Sequence, residues 1–187
     1  MTESSKPAKR PQSTGEEIAN AVSHGLGFVA ACVAAPFLVA EALRHGGIAL
    51  VIGFSVFAAT AALLYLSSTL YHSMPPNRAK GVFQVLDHSA IFLLIAGTYT
   101  PFTLGVMRGA WGWTLLGLVW GIAAAGLVLT TVGGTRFPKT SLALYLAMGW
   151  LVVIAIKPLV ERLPLPGLLW LVAGGLAYTA GVAFYTA

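Results

Sequence analysis

Three uncharged stretches in this chain are too long for the core of a soluble domain. Ile48–Tyr71 runs 24 residues without a charge, Ser89–Met107 runs 19 and Ala110–Thr135 runs 26. About 18 or more apolar residues in a row is the length of a helix that crosses the hydrocarbon of a bilayer. Only 9% of the residues are charged, against about a quarter in an ordinary soluble domain. Strands of a membrane barrel are roughly 10 residues long, with alternating character, and these runs do not fit that pattern. The expectation is an all-α, polytopic helical membrane protein.

Polar or Gly/Pro breaks divide the apolar sequence into six predicted spans, at about 17–42, 48–72, 83–107, 110–132, 140–158 and 165–187. Residues 1–15 are polar, rich in Ser, Lys and Pro, and are expected to form a disordered cytoplasmic tail. Residues 16–187 then form one transmembrane domain. The first apolar run is too long for a cleaved signal peptide, so this span is expected to stay in the protein. Pro36 and Pro101 fall inside spans and are expected to kink them. Gly117, Gly121 and Gly126 are expected to let helices approach closely. Trp111, Trp113, Trp150 and Trp170 read as interface or packing aromatics. Cys32 reads as a small packing residue, and as the single cysteine it can form no internal disulfide.

The net charge of +5 would suggest nucleic acid in a soluble protein. Here the basic residues lie in tails and loops, so membrane lipids, and not nucleic acid, are the expected partners. With the N-terminus cytoplasmic, that side holds Lys6, Lys9, Arg10, Arg78, Lys80, Arg136 and Lys139, seven in all. The other side holds four: Arg44, Arg108, Lys157 and Arg162. Cytoplasmic loops carry the excess of Lys and Arg. The expected location is the plasma or inner membrane, multi-pass, with the N-terminus inside.

Against this background the polar residues at the span ends stand out. Ionisable groups near the hydrocarbon are costly and mark candidate sites. Ser68-Thr69-Leu70-Tyr71-His72 closes the second span, and Leu86-Asp87-His88-Ser89 opens the third. Ser68 and His72 share a helical face. A short turn, Pro75-Pro76-Asn77-Arg78, joins the two spans and brings His72 and Asp87 to one depth. Imidazole, carboxylate and hydroxyl so placed fit a metal or proton-transfer site. They fit a polar knot between two helices as well. Glu17, Asn20 and His24 form a stripe on the first span, and the simpler reading is that they face the headgroups. Of the three, His24 is the one expected to face other helices. His88 lies about 100° round the helix from Asp87 and reads as an anchoring residue.

The motifs Glu17-Ile18-Ala19-Asn20-Ala21-Val22-Ser23-His24-Gly25, Ser68-Thr69-Leu70-Tyr71-His72, Leu86-Asp87-His88-Ser89-Ala90-Ile91-Phe92 and Gly97-Thr98-Tyr99-Thr100-Pro101-Phe102, in that order, carry a resemblance. The chain resembles the bacterial hemolysin III family, relatives of the adiponectin and progestin receptors in a wider group that includes alkaline ceramidases. The likeness runs from about residue 15 to the end. It implies a seven-helix membrane protein with a zinc site near the cytoplasmic side. His72 would be a zinc ligand, Asp87 would act through a bound water, and Ser68 would accompany them, so that Ser68 and Asp87 are the catalytic candidates and His72 and Asp87 the metal candidates.

The same resemblance implies two further zinc histidines, in a His-x-x-x-His pattern on a seventh helix, whereas no histidine follows His88 in this sequence. The sequence is therefore expected either to be C-terminally incomplete relative to the family or to have lost the metal site. Zinc binding by these residues alone is expected to be weak or absent, since catalytic zinc keeps three protein ligands. Three functions stay open. One is a hemolysin III-type membrane protein, cytolytic through pores built by homo-oligomers or involved in membrane homeostasis. Another is a zinc-dependent lipid amidohydrolase. The third is a non-catalytic membrane regulator.

Overall fold

In a computed structural model the chain is a bundle of long helices, with residues 12–186 described. The expected tail up to Pro11 lies outside the described residues. The helices are α1 (Thr14–His45), α2 (Gly47–Ser73), α3 (Arg78–Pro101), α4 (Ala110–Gly133), α5 (Pro138–Trp150), α6 (Ile156–Arg162) and α7 (Leu165–Thr186). A π-turn, Phe102–Val106, extends α3, and a 3-10 segment, Leu151–Ala155, joins α5 to α6. Counted as continuous spans, six of the described segments are long and apolar enough to cross a membrane, and the described residues contain no strand.

Local chemistry sets the helix starts. Ser13 and Glu16 form a capping box: the Ser13 hydroxyl accepts from the Glu16 N–H at 3.3 Å, and the Glu16 carboxylate accepts from the Ser13 N–H at 2.7 Å. Two otherwise orphaned N–H groups are thereby satisfied. Asn77 caps α3, its Oδ1 accepting from the Lys80 N–H at 2.9 Å. This cap starts the third span at Arg78, several residues before the position read from hydropathy. The helical course of α1 continues through Pro36, whereas beyond Pro101 the backbone passes into the π-turn.

Lipid is as apolar as leucine, so packing contacts and not hydrophobic burial hold such helices together. α1 packs on α2, α2 on α3 and α3 on α4. The tightest approaches use residues without a side chain. A Cβ at Gly97 would collide with Thr60 of α2, and one at Gly126 would collide with the Phe92 ring. Phe92, Ile95, Ala96, Val119, Ala123, Tyr145 and Met148 make the main core between α3, α4 and α5. Gly117 and Gly121 meet nothing within 4 Å, so of the three glycines expected to bring helices together only Gly126 does so. Cys32 is exposed on the outer face of α1 and not packed inside. The reason is that α1 has one neighbouring face only; Ile18, Val22, Leu26, Val29, Val33 and Phe37 line its opposite side, all exposed.

Tyr99 organises the break in the fifth span. Its hydroxyl donates to the carbonyls of Met148 (2.8 Å) and Gly149 (3.1 Å) and accepts from the Val152 N–H at 3.0 Å. Backbone groups freed where α5 gives way to 3-10 geometry must find partners inside the bundle, because hydrocarbon offers none.

Candidate functional site

The polar residues gather where α1 begins, α2 ends and α3 begins. Glu17 is the hub. Its Oε2 lies 2.6 Å from His72 Nδ1, and its Oε1 accepts from Lys80 Nζ at 2.7 Å. A carboxylate oxygen accepts, so Nδ1 of His72 is the donor in this contact. Lys80 Nζ also donates to the Met74 carbonyl at 3.1 Å and sits 5.1 Å from the centre of the Tyr71 ring. The Asn77 cap fixes the first turn of α3, and that places Lys80 over the loop. Three segments of chain are thereby clasped through one carboxylate.

One turn deeper, His24 Nδ1 and Ser68 Oγ share a 2.5 Å hydrogen bond between α1 and α2. Ser68 is buried, with 1% of its surface exposed. The His24 ring stands edge-on to Tyr65 and to His72, with centroids 5.8 and 6.0 Å away. Asp87 is half-buried at the same end. Its carboxylate lies within electrostatic range of His24 and Tyr71 but makes no hydrogen bond or ion pair among the described residues.

Ser68, His72 and Asp87 thus share one end of the bundle, but their direct partners differ from those suggested by spacing. Ser68 turns to His24, and His72 turns to Glu17. Glu17, read more simply as headgroup-facing, points inward to α2, and so does His24, the residue of that stripe expected to face other helices. Their seven-residue spacing, with the polar face opposite an apolar stripe, was the available signal. Lys80 had no signal beyond its loop charge. His88 is an anchor: its Nδ1 donates to the Gln84 carbonyl at 2.7 Å, and its own carbonyl accepts from the Tyr145 hydroxyl at 2.7 Å.

A zinc ion bound through histidine is commonly oriented by a carboxylate on the other ring nitrogen, and Glu17 stands in that relation to His72. The remaining donors do not follow. Among the described residues no three His, Cys, Asp or Glu side chains converge as a metal site requires. Ser68 takes up the Nδ1 of His24, and the rings of His24 and His72 are set at 84° to each other. One oriented imidazole is short of the three protein ligands that catalytic zinc keeps, so the described residues do not by themselves fit the ion.

Six membrane-length apolar spans and a charged clasp between three of them define a polytopic α-helical membrane protein with an interior polar site at one end. Comparison with known proteins narrows this class. Residues 12–187 match the family described as Haemolysin-III related, and the chain belongs to that family. It is 45% identical over 185 residues to Hemolysin-3 of Bacillus cereus, covering 99% of this chain and 84% of that protein. It is 45% identical over 170 residues to the Hemolysin-3 homolog of Bacillus subtilis (strain 168), covering 91% and 80%. A more distant relative is the Monocyte to macrophage differentiation factor of Homo sapiens, 25% identical over 131 residues, 65% of this chain and 52% of that protein. No solved structure matches the chain significantly. The protein is an integral, multi-pass membrane protein of the hemolysin III type.

Proposed function

We propose that this protein permeabilises membranes as a cytolysin, that it resides in the cell membrane with its N-terminus in the cytoplasm, and that the Glu17–His72–Lys80 clasp holds the active arrangement of its first three helices. The observation that carries the reading is the 45% identity, across 99% of the chain, to a protein named Hemolysin-3. The seven-to-four distribution of Lys and Arg supports the orientation. A passage through a single copy has no support in the helix faces. Interior hydroxyls such as Ser89 and Thr130, buried and 2.7 Å apart, satisfy each other. Leakage is therefore assigned to homo-oligomers. The test is dye release from liposomes reconstituted at increasing protein density. Release that climbs more steeply than protein density, and that Glu17→Gln weakens, is expected. Intact liposomes at every density would overturn the proposal.

A further inference from the structure

At the end of the bundle opposite the clasp, the turn between α1 and α2 meets the corner between the π-turn and α4. A cavity of about 400 Å³ opens there, lined by Gly47, Ile48, Leu104, Arg108, Gly109 and Trp113 among others. Its wall is mostly apolar, with the Thr103 side chain and one charge, that of Arg108. Gly47 and Gly109 both have positive φ, at 70° and 95°, and a Cβ at either would meet nothing within 4 Å. The mouth is kept clear by residues that have no side chain to fill it.

The basic groups here lack acidic partners. Arg108 Nε donates to the Gly105 carbonyl at 3.0 Å, which fixes the stem of the side chain. Its terminal nitrogens make no hydrogen bond or ion pair among the described residues. Arg162 Nη1 donates to the Arg108 carbonyl at 3.0 Å, so a second guanidinium is held in the same corner. Of the two carboxylates at this end, Glu41 is engaged by His45 at 3.1 Å. Glu161 forms no ion pair with either arginine among the described residues.

We propose that this cavity binds one anionic glycerophospholipid, with its phosphodiester on Arg108 and Arg162 and the start of an acyl chain along Ile48, Leu104 and Trp113. Guanidinium is suited to this role because its planar fork matches phosphate oxygens two at a time. The site lies at a membrane end, where phospholipid is the abundant phosphate, and the apolar wall favours a ligand that carries a hydrocarbon tail. A membrane-surface cation is worth about fivefold in association with anionic lipid, so the two together set the expected preference at about twenty-five-fold.

Quenching of tryptophan fluorescence by brominated acyl chains tests the assignment on the full chain in lipid vesicles. Dibromo-phosphatidylglycerol is compared with dibromo-phosphatidylcholine. The expected result is preferential quenching by the anionic lipid, lost in W113F and reduced about fivefold in R108Q. K157Q removes a charge from the same end but away from the cavity, and should leave the preference unchanged. If R108Q does not fold, Ala49→Phe occupies the cavity with both arginines intact and should abolish the preference. Equal quenching by the two lipids overturns the proposal. So does an equal loss in K157Q and R108Q, which would indicate diffuse charge. Displacement of the lipid effect by millimolar inorganic phosphate would assign the site to the free anion and overturn the lipid reading.

Discussion

Glu17 and His72, 55 residues apart in the chain, are joined by a 2.6 Å contact that bridges the start of the first span to the end of the second. Lys80 completes the contact from the third. Glu17→Gln leaves Lys80 without its counter-charge and weakens the bond to His72. The bundle should lose about 1–3 kcal/mol, the usual cost of stranding a half-buried partner. Unfolding in mixed micelles would measure it. Lys80→Met combined with Glu17→Gln should cost less than the sum of the two single changes, because the cation is no longer stranded.

The Ser68–His24 bond makes a separate prediction. Ser68→Ala removes only the hydroxyl and should destabilise by about 1 kcal/mol. Ser68→Leu forces extra volume into a position with 1% exposure and should do markedly more harm, by about 1–3 kcal/mol from overpacking alone. Similar stabilities for the two variants would contradict the burial described.

Gly97 and Thr60 form a lock between α2 and α3. Gly97→Ala should be destabilising by about 1–3 kcal/mol, since its Cβ would collide with the Thr60 side chain. Thr60→Ala removes the hydroxyl and methyl that collide and should rescue it in part, since the Cβ of residue 60 stays 3.0 Å away. The rescue is informative because, among the described residues, the Thr60 hydroxyl bonds only to carbonyls of its own helix, those of Val56 and Phe57, so no interhelical bond is lost with it.

Orientation can be read by cysteine labelling in a Cys32→Ala background. Arg78→Cys should react only with reagents that reach the cytoplasm, and Arg108→Cys from the opposite side. Labelling of position 78 in intact cells by an impermeant reagent would reverse the topology.

Much of the architecture is legible from the uncharged runs alone, because a bilayer imposes length and apolarity on every span. Ser68, His72 and Asp87 are placed at one end by the shortness of the 75–78 turn. Their partners are less legible. A stripe such as Glu17, Asn20 and His24 in the opening turns of a span suits headgroups as well as a neighbouring helix, and hydropathy does not distinguish the two. Lys80 looks like any loop cation until the Asn77 cap turns it toward Glu17. The break at Leu151–Ala155 contains neither glycine nor proline. Pro158 follows in α6 with no N–H to offer the Ile154 carbonyl, and the groups freed at the break are received by a tyrosine some fifty residues away in the chain.

That tyrosine has a bearing on how the protein is built. Without the Tyr99 hydroxyl, the N–H of Val152 and the carbonyl of Gly149 would each lose a partner where α5 passes into its 3-10 segment, and the Met148 carbonyl would lose one of its two donors, keeping the Leu151 N–H. The fifth span can settle into its final backbone course only when the third is already in place to receive it. The break of the fifth segment is therefore expected to form on docking against the third. Tyr99→Phe should leave the early spans assembled and stall the bundle at that late step.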